Sequence, residues 1–203
     1  MEPIPSRRVV QDVGTLKALA DPIRLTVLEL TMSDHRRSWT AKELASAVRV
    51  PPTKIYYHLN TLEQHGLLEV RTTRVINGII EKHYGAGQKM LSYESGPGPS
   101  GGMDELIAAM IDQVRDNIVA GIRSGEIVAA RDAPDETRVI VSHAISSVPP
   151  AQAGEFRRRL LELVEEFHDG NDPANPSYQL LIALHPVASA PNGSGKPAEL
   201  DEQ

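Results

Sequence analysis

The apolar positions of residues 1–90 recur at helical spacing and then change period once. Val13, Leu16 and Leu19-Ala20 fall on one face of a helix. Asp21-Pro22 supplies an N-cap followed by proline at the first helical position, and Ile23, Val27, Leu28 and Leu30 line the apolar side of a second helix. Thr40-Ala41-Lys42-Glu43 has the form of a capping box, with Thr at the cap and Glu three residues on, and opens a short third helix through Val48. Pro51-Pro52-Thr53 starts a fourth, in which Ile55, Leu59 and Leu62 keep a 4–3 spacing, and Gly66 ends it. From Leu68 the period drops to two. Leu68-Glu69-Val70-Arg71-Thr72 and Ile80-Glu81-Lys82-His83-Tyr84 alternate on either side of Ile76-Asn77-Gly78-Ile79, and Asn-Gly between two β-runs predicts a hairpin.

Two helices, a short helix, a tight turn, a helix and a hairpin follow in the order of a winged helix-turn-helix, here spanning residues 10–90. The fold class expected is α+β, mainly α. Residues 1–9 read as an N-terminal tail. Residues 91–102, with Ser95-Gly96-Pro97-Gly98-Pro99-Ser100-Gly101-Gly102, cannot hold a helix or a central strand and read as a linker. Beyond it, Met103, Ile107, Met110-Ile111, Val114, Ile118 and Ile122 form one stripe of a helix ending near Gly125. Residues 139–147 read as a strand. A helix follows Pro149-Pro150, with Phe156, Leu160, Leu163-Val164 and Phe167 on one face and mostly charged residues opposite, and 178–187 reads as a second strand. This α-β-α-β region, 103–187, is too small for a deep core of its own. Its stripe is wider than so small a region can cover, which makes Ile107, Met110, Ile111, Val114 and Ile118 the expected seam of a homodimer. Residues 188–203, rich in Gly, Pro and Ser before an acidic end, read as a disordered tail.

Composition narrows the classes. The 203 residues are 40% hydrophobic and 24% charged, an ordinary globular balance, and the apolar runs are too short to cross a bilayer. Met1-Glu2-Pro3-Ile4-Pro5 does not resemble a secretory signal, so a cytoplasmic protein without a membrane partner is expected. The absence of cysteine removes disulfides, thiolate metal sites and cysteine nucleophiles together. The net charge of −6 is unevenly shared. Residues 1–90 carry 13 Lys+Arg against 9 Asp+Glu, a net of +4, and the remainder carries 8 against 18, a net of −10. That split favours a polyanion facing the first part.

Leu19-Ala20-Asp21-Pro22-Ile23-Arg24-Leu25, then Glu43-Leu44-Ala45, then Tyr56-Tyr57-His58-Leu59-Asn60-Thr61-Leu62-Glu63-Gln64-His65-Gly66-Leu67-Leu68 resemble, in order, successive helices of ArsR-type transcriptional regulators. The resemblance covers residues 10–90 and implies a double-stranded-DNA-binding homodimer at a pseudo-palindromic operator, with repression as the usual outcome. The residues themselves point the same way. With Ile55, Leu59 and Leu62 facing the core, Thr53, Lys54, Tyr56, Tyr57, Asn60 and Thr61 are left for base edges and phosphates in a major groove. Arg71, Arg74 and Lys82 on the hairpin, with Asn77 at its tip, suit the phosphate backbone or the minor groove.

Members of that family often sense metals, but no cysteine is present and the seven histidines are scattered. His58 and His65 are not at the i, i+4 spacing that chelates from one helix face, so no metal site or cofactor is expected. Gly195-Lys196-Pro197 lacks the Ser/Thr and the helix start of a phosphate-binding loop, and no catalytic residue is singled out. Two alternatives stay open: a winged-helix module for protein–protein contact, and a regulator answering to a small-molecule effector held by residues 103–187.

Overall fold

The computed structural model describes Pro5 and residues 7–94, 101–172 and 174–187. Helices α1 (Val13–Leu19) and α2 (Pro22–Ser33) meet at a polar corner. Asp21 caps α2 by accepting from the Arg24 N–H at 3.0 Å. The Arg24 guanidinium turns back to donate to the carbonyls of Ala18 and Lys17 at the end of α1. The Asp-Pro-Ile-Arg signature is therefore an architectural joint, satisfying the orphan carbonyls of one helix and the orphan amides of the next. Strand β2 (Trp39–Thr40) leads into α3 (Ala41–Ala47), where both bonds of the expected capping box are formed. The Thr40 N–H donates to Glu43 and holds its carboxyl below the usual carboxylate range. At the start of α1 the Thr15 N–H does the same for Asp12.

A tight turn leads to α4 (Pro52–Gln64), followed by β3 (Leu68–Ile76) and β4 (Ile79–Ala86). The sheet order is β2-β4-β3, all antiparallel, so the helix-turn-helix and its wing form as the pattern predicts. Leu16, Leu19, Leu28, Leu44, Ile55, Leu59, Leu62, Leu67 and Tyr84 make the core between the helices and the sheet.

Two stretches expected to be unstructured each contribute a strand. β1 (Arg7–Val10) pairs in parallel with β5 (Met90–Tyr93), in the register Arg7↔Met90 to Val10↔Tyr93. Neither looks like a strand alone, since each is four residues long. Pairing buries Val10 in the core. It also brings Arg8 to the end of α4, where it donates to the carbonyls of His65 at 2.7 Å and Gly66 at 2.6 Å. Of the expected linker, residues 95–100 lie outside the described residues, as does the whole expected tail 188–203.

α5 (Met103–Ser124) ends at Gly125 as expected and packs its first turns on α1 and α2 through Met103, Leu106, Ala109 and Met110. α6 (Pro150–Asp169) also forms, with no buried residue. The two strands expected in this region do not: 139–147 and 178–187 are unpaired, and only a single bridge, Val128↔Arg138, forms nearby. Their β-branched and aliphatic residues mark a strand preference, but a strand needs a paired neighbour, and among the described residues neither stretch forms a ladder. Beyond α5, polar contacts reach the rest of the fold: Arg7 to Glu165 at 3.4 Å, Asn171 to the Ser33 carbonyl at 2.9 Å, and Gln179 to Glu29 at 2.9 Å. Burial pushes the Glu29 carboxyl up, opposed by donors from Gln179 and Gln113.

Candidate nucleic-acid interface

The second helix of the helix-turn-helix is α4. Its 4–3 apolar spacing turns Ile55, Leu59 and Leu62 fully into the core, and His58 with them. The opposite side presents Thr53, Lys54, Tyr56, Tyr57 and Asn60, all exposed. Thr61 is half-buried and its hydroxyl donates to the Tyr57 carbonyl at 3.0 Å, leaving its lone pairs as acceptors only. Tyr56 is 53% exposed. The Tyr57 ring meets His58 edge-on at 5.4 Å and stays 68% exposed. The helix is fixed at its far end by Arg8 and by the Thr15 hydroxyl, 3.0 Å from His65 Nδ1. His65 is thus a structural contact of α1, and His58 Nδ1 lies 3.4 Å from Asp21 at the α1–α2 corner. Among the described residues no group of three His, Asp or Glu is placed to hold a metal.

The wing is a two-stranded ribbon closed by Asn77 (φ 51°) and Gly78 (φ 78°), the pair of positive φ angles that a two-residue hairpin turn of this twist requires. Its expected cations divide. Arg74 is exposed, opposite Glu81 in the register. Lys82 reaches both carboxylate oxygens of Glu63 on α4 at 3.2 Å, which sets the ribbon beside that helix.

Arg71 does not face outward for phosphate. The register slips between Val70 and Thr72, so Arg71 is the extra residue of a bulge that re-aims its side chain across the sheet. The guanidinium donates to the carbonyls of His35, Arg37 (3.3 Å) and Ala86 (3.1 Å). Gly85 makes the space, since a Cβ there would collide with the Arg71 guanidinium. Alternation from Leu68 onward cannot reveal this, because a bulge breaks the phase on which alternation depends. Arg37 is also engaged, stacked 3.5 Å over the Trp39 ring and paired with Glu43 at 3.2 Å, while Arg36 is exposed.

The expected dimer residues on α5 differ in burial. Ile107 and Ile111 are exposed, and Val114 and Ile118 are half-exposed along the same stripe. Met110, at the edge of that stripe, packs against the core. An open groove runs beside Ala129, Ala130, Arg131 and residues 138–141. No described helix is long and apolar enough to cross a membrane.

A family model described as a helix-turn-helix domain matches residues 19–71, from the end of α1 into β3. No curated protein matches the sequence. Among solved structures, one similar chain is MepR, a transcription regulator of the Staphylococcus aureus multidrug efflux pump MepA, 12% identical over 75% of this chain and 90% of that one, with a TM-score of 0.27. Another is a MepR point mutant from a multidrug-resistant S. aureus clinical isolate, 11% identical over 72% and 78%, with a TM-score of 0.26.

Proposed function

We propose that this chain is a sequence-specific double-stranded-DNA-binding transcription regulator acting as a homodimer. The observation that carries the reading is α4. One face is locked into the core, and the other offers a cation, an amide, hydroxyls and two phenols, next to a wing held at a fixed distance by Lys82 and Glu63. An exposed amide such as Asn60 matches the paired donor and acceptor of adenine in the major groove, while Thr53 and Tyr57 supply hydroxyls and Lys54 reaches guanine or phosphate. Arg74 and Arg36 contact phosphate and fix register without reading sequence. The net charge of +4 on residues 1–90 favours DNA over a protein surface as the target.

Two recognition helices related by a two-fold axis fit successive major grooves, about 34 Å apart, on a pseudo-palindromic operator. The exposed side of α5 (Ile107, Ile111, Val114 and Ile118) is the seam of that dimer, and repression follows from occluding the promoter. The ArsR-type resemblance of the signature segments supports the same reading.

Selection of duplexes from a random pool, followed by mobility-shift titration, tests it. Asn60→Ala and Tyr57→Ala lower affinity for the selected duplex by roughly 1–3 kcal/mol and barely alter random-duplex binding. Arg74→Ala weakens both alike and flattens the salt dependence. Enrichment of no duplex, or recognition-helix variants that bind as wild type, overturns the reading.

A further inference from the structure

The wing tip is chemically unlike a phosphate-binding finger. Val75, Ile76, Ile79 and Ile80 surround the Asn77-Gly78 turn and are 73%, 48%, 72% and 67% exposed. Val75 pairs with Ile80 and Ile76 with Ile79. Successive cross-strand pairs point to opposite faces of a ribbon, so both faces are aliphatic at the tip. Two of the neighbouring cations are withdrawn, Arg71 bound to carbonyls and Lys82 to Glu63, and the exposed Arg74 sits one rung below the four aliphatic residues. β2 pairs only with His83 and Tyr84 of β4, so the ribbon beyond them protrudes with no third strand.

We propose that the wing tip is an apolar wedge that inserts into the DNA minor groove beside the recognition site and bends the duplex. This rests on the DNA-binding reading above. Two observations select the occupant. A flat partner would cover one face of the ribbon and leave the other wet, whereas a groove covers both. The Lys82–Glu63 pair also holds the ribbon against α4, so the tip lies next to whatever α4 reads. The minor groove is only about 6 Å wide, narrower than a two-stranded ribbon carrying side chains on both faces. The groove must open for the tip to enter, and aliphatic wedges between base steps kink DNA by roughly 20–90°. The deformation is least costly at flexible pyrimidine–purine steps, so the wing adds sequence preference at positions no polar side chain touches.

The test uses the full chain and a selected duplex carrying a fluorophore pair at its ends and 2-aminopurine at successive steps flanking the α4 footprint. Wild type shortens the end-to-end distance and brightens 2-aminopurine at one pyrimidine–purine step. Ile76→Ser/Ile79→Ser abolishes both signals while the base preferences under α4 persist, and Ile76→Leu/Ile79→Leu retains them. A straight complex, or a serine variant that bends DNA as wild type does, overturns the wedge while leaving DNA binding intact. Failure to select any duplex overturns both. Loss of self-association in the serine variant without DNA makes the tip an interface between copies and overturns the wedge.

Discussion

α4 and α6 carry the same kind of apolar stripe and meet opposite fates. In α4, Ile55, Leu59 and Leu62 lose all contact with solvent under α2, α3 and the sheet. In α6, Phe156, Leu163 and Phe167 remain 41%, 49% and 46% exposed. The contrast extends to the regions around them: beyond Leu106 no described side chain is buried, the one buried residue being Gly121. A 4–3 stripe states that a face gains by being covered, and not what covers it. For α4 the cover is in the same chain. For α5 and α6 we propose a second copy, because the apolar area they leave in water is of a kind that marks association.

The largest effect should separate the two helices directly. Leu59→Ala costs about 2–5 kcal/mol in chemical denaturation, as expected for a cavity in a closed core. Leu163→Ala in α6 stays within about 0.5 kcal/mol for dilute protein. Equal costs would mean that α6 is covered within its own chain.

Next in size is the seam. Ile111→Asp or Ile118→Asp should give a folded monomer in sedimentation where wild type is dimeric, with much weaker binding to a two-fold duplex. A wild type that sediments as a monomer at micromolar concentration would break this side of the comparison.

Within the covered region, Arg71 and Arg74 sharpen the picture further. Arg71→Ala leaves three carbonyls without their donor and lowers stability by roughly 1–3 kcal/mol. Gly85→Ala evicts the same guanidinium and acts alike, whereas Arg74→Ala stays within about 0.5 kcal/mol. The caps should matter less than the Arg71 anchor. Thr40→Ala costs about 1 kcal/mol. Because Glu43 and Asp12 are held below their ordinary values, each stabilises the fold above that value and ceases to as pH falls through its lowered one. Melting temperature therefore drops below about pH 4, and Glu43→Gln makes the drop shallower.

What was legible in the sequence was local. The Asp21-Pro22 corner, the Thr40–Glu43 box, the Asn77-Gly78 turn and the stripe of α4 each complete their own hydrogen bonds or their own period within a few residues, and each formed as read. β1 and β5 were opaque because a parallel pair is made by residues from opposite ends of the folded region, and neither strand carries the signal alone. Arg71 was misassigned because a bulge changes its direction. Residues 139–147 and 178–187 show the converse: a strand preference without a partner gives no strand. On α4, Thr53, Lys54, Tyr56, Tyr57 and Asn60 are exposed as the spacing predicts, while the apolar character of Val75 and Ile79 is visible in the sequence but has no role in its periodicity.

The pairing of β1 with β5 also has a mechanical consequence. The chain enters at the start of β1 and leaves toward α5 from the end of β5, and the strands run parallel. Tension between the N-terminus and α5 therefore loads this pair in shear, so its bonds must fail together. The β3–β4 hairpin, pulled from its open end, would instead unzip one rung at a time. A tug on α5 would thus load the β1–β5 pair, whose Arg8 is bonded to the end of α4.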